Sequence, residues 1–106
     1  MENVEYYFEP ESIAVVGAST DPEKPGYTLA KNVRDSFDGD VYPVNPSQDE
    51  ILGMACYDSI ASIPGDVDLV SILIPAPRVP DVMEECAAKG VKAAFVGSEG
   101  FADVGN

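Results

Sequence analysis

The sequence predicts a doubly wound α/β domain, in which a mainly parallel five-stranded sheet carries helices on both faces. Short apolar runs bounded by turn residues alternate along the chain with segments whose apolar residues recur at helical spacing. The length of 106 residues is that of one domain. We therefore expect residues 1–106 to form a single unit, with a lead-in segment over residues 1–12 and a tail over residues 101–106.

The first strand and the first helix are predicted in the first third of the chain. Residues 13–17, Ile-Ala-Val-Val-Gly, are continuously apolar up to a glycine, which is typical of a strand buried on both faces. A loop rich in turn-forming residues follows. Residues 27–37 then carry apolar side chains at helical spacing and predict an amphipathic helix of about three turns.

The middle of the chain has weaker signals. A second short strand is predicted over residues 41–44, where Pro43 is unfavourable for a central strand because proline has no N–H group. Residues 49–54 are predicted to form a loop that turns at Gly53. A brief strand over residues 55–57 is predicted to follow it.

The second half of the chain repeats the alternation of helix and strand. A short helix over residues 59–63 precedes the strongest strand signal, over residues 69–74. An apolar stripe over residues 79–87 predicts a helix that Gly90 terminates, because glycine readily adopts the left-handed conformation. Residues 91–96 predict the last buried strand.

The chain is strongly acidic. It has 19 Asp and Glu against 6 Lys and Arg, which gives a formal net charge of −13. Nucleic acids and anionic membrane surfaces are disfavoured as partners because both require many cationic side chains. No apolar run approaches the ~20 residues of a membrane span, so we expect a cytoplasmic protein. Two interpretations of the acidity stand, namely solubility and adaptation to a salt-rich cytoplasm.

The residue types present also limit the chemistry. The sequence has no histidine, so it lacks the commonest general base and metal ligand. Its two cysteines, Cys56 and Cys86, are far apart and are predicted to be reduced thiols in or near the core. We predict neither a metal site nor a catalytic residue.

A ligand site is predicted at the carboxyl ends of the strands, where open parallel sheets bind their ligands. Gly17 lets the backbone approach a ligand closely, and Ser19 and Thr20 offer hydroxyl groups. Gly26 precedes a helix whose free amides favour a phosphate, and Lys24 is the nearest cation. The alternative is a plain strand–turn–helix connection.

The later strand ends offer further candidates. The side-chain amide of Asn45, before Pro46, is able to recognise a nucleotide edge, and the alternative is a simple turn. The rigid segment 75–77 presents apolar surface and carbonyl groups, or merely stops a strand. Arg78 is either a phosphate partner or a solvated residue at a helix start. Residues 98–100 form a polar turn after the last strand.

Two common nucleotide-binding motifs do not match. Gly17 is not followed by the other glycines of the G-x-G-x-x-G fingerprint, and no acidic residue ends the second strand. The G-K-[ST] triplet of a P-loop is absent. A stand-alone regulatory domain that binds a dinucleotide such as NAD is therefore the alternative hypothesis.

Several short segments, in order and at matching spacing, carry a family resemblance. They are residues 8–19 (FEPESIAVVGAS), 41–46 (VYPVNP), 51–53 (ILG), 56–57 (CY), 63–64 (IP), 67–69 (VDL), 74–77 (IPAP) and 98–101 (SEGF). The chain resembles the Rossmann-like CoA-binding domain at the N-terminus of the NDP-forming acyl-CoA synthetases. Those ligases are related to the succinyl-CoA synthetase α subunit.

The resemblance implies a site for coenzyme A or an acyl-CoA. It implies that residues 17–20 hold the phosphates, that the Asn45-Pro46 turn lies near the adenosine, and that Pro75 and the Ser98-Glu99 turn follow the pantetheine. The predicted cofactor-binding residues are Gly17, Ala18, Ser19, Thr20, Lys24, Gly26, Asn45, Pro46, Ile74, Pro75, Ser98 and Glu99.

The family's synthetases continue into a phosphohistidine domain and a nucleotide-grasp domain, which this sequence lacks. We therefore expect a CoA-binding module, not catalytic alone, that works with the remaining synthetase domains or subunit. A stand-alone CoA-binding protein is the alternative within the family, and a homodimer is a further alternative for its assembly.

Overall fold

The computed structural model describes residues 9–97. Most of the lead-in segment, the Ser98-Glu99 turn and the tail lie outside the described residues. The described strands, in chain order, are β1 (Ser12–Val16), β2 (Asp40–Val44), β3 (Glu50–Ile51), β4 (Met54–Ala55), β5 (Leu69–Ile72) and β6 (Ala93–Val96). The two α-helices are α1 (Pro25–Ser36) and α2 (Val79–Lys89).

Four strands form one parallel sheet in the order β2-β1-β5-β6. Strand β1 is central, and its Val15 lies in register with Pro43 on one side and Ser71 on the other. The predicted doubly wound α/β fold is confirmed, with four parallel strands instead of five in the part of the chain that the structure describes.

The two helices cover opposite faces of the sheet. Alternate residues of a strand point to opposite faces, so Val15 packs towards α1 whereas Val16 packs towards α2. Ala30 of α1 and Cys86 of α2 are buried at the centres of the two contacts. The α1 side is covered over β1 and β2, while Phe95 of β6 is 63% exposed on that same face.

The helix boundaries follow local chemistry. Helix α1 begins at Pro25, whose fixed φ suits a first helical position. Helix α2 ends before Gly90, which adopts φ +84° and donates its amide to the carbonyl groups of Cys86 and Ala87. The predicted glycine stop is confirmed.

Pro43 is compatible with β2 because this strand lies at the edge of the parallel sheet. The Pro43 carbonyl accepts a hydrogen bond from the Tyr57 amide, so its peptide groups face away from β1. The missing N–H group would lie on that outer side, and the ladder with β1 is therefore unaffected. The same Tyr57 forms an isolated parallel bridge with Val44.

The turn predicted at Gly53 is confirmed, but the predicted loop over residues 49–54 was wrong. Strands β3 and β4 pair there as a small antiparallel hairpin that buries Ile51 completely. Leu52 and Gly53, with φ of 55° and 81°, form the connecting turn, as tight hairpins require. The hairpin shows no alternating pattern because each strand has only two residues.

The predicted short helix is a 3-10 helix over Ile60–Ser62, and a second one over Ala76–Arg78 leads into α2.

Both cysteines are free thiols, with Cys86 buried and Cys56 half-buried, as predicted. Burial raises the pKa of both thiols. In the described range, neither α-helix has the length and apolarity required to cross a membrane.

Candidate functional site

The site lies where the chain changes direction across the sheet. From β1 the chain crosses through α1 to β2, whereas from β5 it crosses through α2 to β6 on the other side. The connections that leave β1 and β5 therefore part to opposite faces of the sheet. A crevice opens between them at the carboxyl ends of these strands, as in other doubly wound folds.

Two clefts occupy this crevice. The first, which we call the Asn45 cleft, has a volume of about 260 Å³ and is lined by Asn45, Pro46, Ser59, Ile60, Arg78 and Glu85. The second, which we call the Lys24 cleft, has a volume of about 340 Å³ and is lined by Lys24, Pro25, Gly26, Leu73, Pro75 and Gly97. Gly17 and Ile74 line both clefts, so the two meet at the end of β1.

Two glycines let three backbone segments approach closely at this junction. A Cβ atom on Gly17, which has φ +94°, would overlap the carbonyl oxygen of Leu73. A Cβ atom on Gly26 would overlap the carbonyl oxygen of Gly17. The sequence interpretation assigned Gly17 to close approach of a ligand, but the packing of the protein itself already requires both glycines.

The loop after β1 has both engaged and free amides. The Gly17 amide donates to the Val44 carbonyl oxygen at 3.1 Å. It is therefore not available to a ligand, contrary to the prediction from the sequence. Ala18 is fully buried, so its side chain belongs to the core. The amides of Ser19 and Thr20 donate to no other group within residues 9–97. The Ser19 hydroxyl accepts a hydrogen bond from the Asp21 amide at 3.0 Å.

The side chain of Asn45 is used inside the protein. Its Nδ2 donates to the Ala18 carbonyl oxygen at 2.9 Å, and its Oδ1 accepts from the Ser47 amide at 2.8 Å. The sequence interpretation had this amide recognise a nucleotide edge. Asn45 does line its cleft, but both polar atoms of its side chain already have protein partners.

The basic residues divide into two groups. Of the six, four make a hydrogen bond or an ion pair away from the clefts, namely Lys31, Arg34, Lys89 and Lys92. The side chains of Lys24 and Arg78 have no such partner in the described part of the chain, and each residue lines one cleft. The sequence left Arg78 open between a phosphate partner and a solvated residue, and it was not among the predicted cofactor-binding residues. Its signal is a cation directly after a proline-rich strand end.

The two clefts differ in charge and polarity. In the Asn45 cleft, Arg78 shares the walls with two carboxylates, Asp58 and Glu85. The Glu85 Oε1 accepts a hydrogen bond from the Ile60 amide at 3.2 Å, which holds this carboxylate in place. The Lys24 cleft has Lys24 as its single charged lining residue among those described, and Leu73 gives it an apolar wall. The first cleft therefore suits a polar group and the second an apolar chain with an anionic end.

The predicted site residues are only partly brought together. Those that line at least one cleft are Gly17, Lys24, Gly26, Asn45, Pro46, Ile74 and Pro75. Ala18, Ser19 and Thr20 lie in the adjoining loop but line neither cleft. Ser98 and Glu99 are outside the described residues, although Gly97 beside them lines the Lys24 cleft.

Known proteins are similar to this chain in sequence and in fold. A family model described as a CoA binding domain matches residues 11–103. The ADP-forming acetate–CoA ligase of Methanocaldococcus jannaschii is 46% identical over 103 residues, which cover 97% of this chain and 14% of that protein. The α subunit of ADP-forming acetate–CoA ligase II from Pyrococcus furiosus is 43% identical over 102 residues, covering 96% of this chain and 22% of that protein.

A solved structure agrees with these sequence relatives. The apo form of dinucleotide-forming acetyl-coenzyme A synthetase 1 from Ca. Korarchaeum cryptofilum has a TM-score of 0.85 and 44% identity to this chain. The match covers 93% of this chain and 22% of that one. The chain thus spans between 14% and 22% of the length of these three relatives. With the family model matching most of its length, the chain belongs to the CoA-binding domain family.

Proposed function

We propose that the domain binds coenzyme A across both clefts, with the diphosphate at the junction formed by Gly17 and Ile74. The observation that carries the proposal is the position of the two basic residues without a partner in the described part of the chain. Lys24 and Arg78 lie in separate clefts that meet at one point. An elongated ligand with phosphates near its middle matches this arrangement.

The diphosphate is assigned to the junction because amide donors are available beside it. Ser19 and Thr20 have amides without partners within residues 9–97, and Gly26 lies in the first turn of α1. The amino end of a helix carries a partial positive charge that favours anions. In a chain of net charge −13, such backbone donors add to the two basic side chains that line the clefts.

The two ends of the ligand are assigned by polarity. The adenosine end suits the Asn45 cleft, where Ser59, Arg78 and Glu85 supply donors and acceptors for hydroxyl, phosphate and amino groups. The pantetheine suits the Lys24 cleft, whose Leu73 and Pro75 supply an apolar wall. The thiol would then leave the domain beside Gly97.

We further propose that the domain presents this thiol, or an acyl-CoA, to the remaining domains or subunit of an ADP-forming acyl-CoA synthetase. The support is the similarity to acetate–CoA ligases, of which the chain matches only a part. The absence of histidine places any phosphohistidine chemistry elsewhere. A reading frame that continues beyond Asn106 into a phosphohistidine domain would support this role, whereas a stop codon there together with no co-purifying synthetase subunit would contradict it.

The ligand assignment is tested by isothermal titration calorimetry of the 106-residue chain with CoA and with NAD. We expect CoA to bind more tightly, because no acidic residue at the end of β2 is present to bind a ribose hydroxyl of NAD. Tighter binding of NAD would overturn the assignment in favour of a dinucleotide domain. Absence of heat with either ligand, in a chain that still melts cooperatively, would overturn CoA binding by the isolated domain.

The position of the diphosphate is tested with a charge added to the loop after β1. Ser19→Glu places a carboxylate beside the free amides and is expected to weaken CoA binding by like-charge repulsion. Ser36→Glu is the matched control, because it makes the same change at the opposite end of α1. Equal affinities for the two variants would show that the phosphates lie elsewhere.

A further inference from the structure

We propose that Asn45 is a positioning residue, whose side-chain amide holds the loop after β1 in the conformation that receives the diphosphate. In this role the side-chain amide of Asn45 does not itself form a hydrogen bond to the ligand. The identity of the ligand rests on the proposed function. The hydrogen bond from Asn45 Nδ2 to the Ala18 carbonyl oxygen, which we call the tether, is a contact within the protein and does not depend on the ligand.

The orientation of the Asn45 amide is determined by its two partners. The Ala18 carbonyl oxygen can only accept a hydrogen bond, and the Ser47 amide can only donate one. Nδ2 must therefore face Ala18, and Oδ1 must face Ser47. Both partners are satisfied at 2.9 and 2.8 Å, so rotating this amide towards a ligand would break both bonds.

Two consecutive residues at the end of β2 hold two consecutive residues at the end of β1. The Val44 carbonyl accepts from the Gly17 amide, and the Asn45 side chain donates to the Ala18 carbonyl. Asn45 is itself anchored, because its backbone amide donates to the Tyr57 carbonyl at 2.9 Å. The tether therefore connects the loop to a fixed part of the fold.

Among the described residues, the tether at Ala18 is the last long-range hydrogen bond before the amides of Ser19 and Thr20. The next hydrogen bond along the loop is local, from the Asp21 amide to the Ser19 hydroxyl. The amides of Ser19 and Thr20 have no partner within residues 9–97, so their position depends on the anchor that precedes them. Asn45 thus determines where these donors stand before the ligand arrives, which lowers the entropy cost of binding.

The test uses Asn45→Ser in the 106-residue chain. A serine hydroxyl can still accept from the Ser47 amide, as in common serine turns, but it is too short to reach Ala18. The variant adds no charge, so it does not repel a phosphate directly. Asn32→Ser is the matched control, because Asn32 is exposed on α1 and lines neither cleft.

The first readout is the NMR order parameter of each backbone amide in the ligand-free protein. We expect the amides of residues 18–20 to change from rigid values near 0.85 towards values below about 0.6 in Asn45→Ser, and to remain rigid in Asn32→Ser. Unchanged order parameters in Asn45→Ser would overturn the tether, whatever the protein binds.

The second readout separates positioning from direct contact. CoA, inorganic diphosphate and pantetheine are titrated into each variant below its melting temperature. We expect Asn45→Ser to lower the affinities for CoA and for diphosphate by the same factor, about threefold to tenfold, because one hydrogen bond is lost. Pantetheine binding should not change.

Weaker CoA binding with unaltered diphosphate binding would instead show that the Asn45 amide binds the adenosine, and would overturn the proposal. Wild-type protein that binds no CoA would contradict the proposed function alone, since the order parameters still decide the tether.

Discussion

The two ends of the parallel sheet are built from the same strands but use their polar groups in opposite ways. At the amino end, the polar groups bond to one another. The Ser12 hydroxyl donates to the Asp66 carbonyl and accepts from the Asp68 amide, both at 2.9 Å. The Asp68 carboxylate in turn accepts from the Glu11 amide at 2.8 Å and pairs with Lys92 at 3.4 Å.

At the carboxyl end, several donors have no protein partner among the residues that the structure describes. Lys24 and Arg78 line the clefts, and the loop beside them carries the unpaired amides of Ser19 and Thr20, as far as residues 9–97 show. Polar groups that satisfy each other stabilise a fold, whereas groups left unpaired beside a cleft are available to a ligand. The comparison therefore predicts that changes at the amino end alter stability and that changes at the carboxyl end alter binding.

The largest effect is expected at Gly17. This residue lies at the carboxyl end, but its substitution should lower the stability of the fold. Gly17→Ala brings a Cβ atom against the Leu73 carbonyl at a left-handed φ of +94°. Overpacking and the left-handed backbone together should lower the free energy of unfolding by about 2–5 kcal/mol.

Gly90→Ala is the control for this substitution, because Gly90 has φ +84° but open space around its Cβ position. It should cost only about 1–2 kcal/mol. Urea denaturation measures both values. Equal losses for the two variants would mean that the close packing of Gly17 on Leu73 contributes nothing.

The next largest effect is expected at the amino end. Ser12→Ala removes two hydrogen bonds that the buried Ser12 hydroxyl makes to the Asp66 carbonyl and the Asp68 amide, and should lower the free energy of unfolding by about 1–3 kcal/mol. The affinity for CoA should not change. Ser71→Ala is the control, since the hydroxyl of Ser71 on β5 has no hydrogen-bond partner within the described range. A changed CoA affinity in Ser12→Ala would show that the two ends are coupled.

A smaller effect on binding is expected from the two cleft cations. Lys24→Gln and Arg78→Gln should each lower the affinity for CoA about twofold to tenfold at low salt. The free energy of unfolding should not change. The loss should shrink as salt is added, because ions screen exposed charges. Lys31→Gln on α1 is the control for net charge, since Lys31 pairs with Asp35 and lines neither cleft. A loss as large in Lys31→Gln would indicate a general charge effect instead of a site.

The smallest effect is confined to acid pH. The Glu11 amide, and after it the Lys92 ammonium, hold the pKa of the Asp68 carboxyl below its ordinary value of 3.8. A pKa that is lower in the folded state stabilises the fold above the unfolded pKa, and this contribution disappears as the pH falls through the folded pKa.

Asp68→Asn should therefore flatten the acid limb of a plot of unfolding free energy against pH. Asp38→Asn, at an exposed aspartate beyond the end of α1, is the control. If both variants keep the slope of the wild type below pH 4, the carboxylate of Asp68 does not contribute to the amino-end network.

Most of the fold was predictable because its signals are local. The apolar run at residues 13–17 corresponds to β1, and the helical stripes correspond to α1 and α2. The β3–β4 hairpin was missed because two-residue strands show no periodicity, and its turn at Leu52 and Gly53 contains one residue that rarely adopts a positive φ. Pro43 was judged unfavourable because the edge position of β2 is a property of the whole sheet.

The candidate site was predictable in location but not in detail. Strand ends that lie at one edge of a parallel sheet must come together, so the sequence was sufficient to place Gly17, Asn45 and Pro75 near one another. It was not sufficient to show that the Asn45 amide already forms a hydrogen bond within the protein, because its partner Ala18 lies 27 residues away. The sequence likewise left Arg78 open between a phosphate partner and a solvated residue, and the structure places it in the cleft that Asn45 lines.

The sequence by itself determined the alternation of strands and helices, the glycine that ends α2 at Gly90, and the lack of histidine for catalysis. These follow from residue type and spacing, which act over a few neighbouring positions. Only the tertiary structure decided which donors are consumed by the fold and which remain for a ligand. Those hydrogen bonds join residues distant in sequence, such as Asn45 with Ala18, so they exist only once the strands are placed side by side.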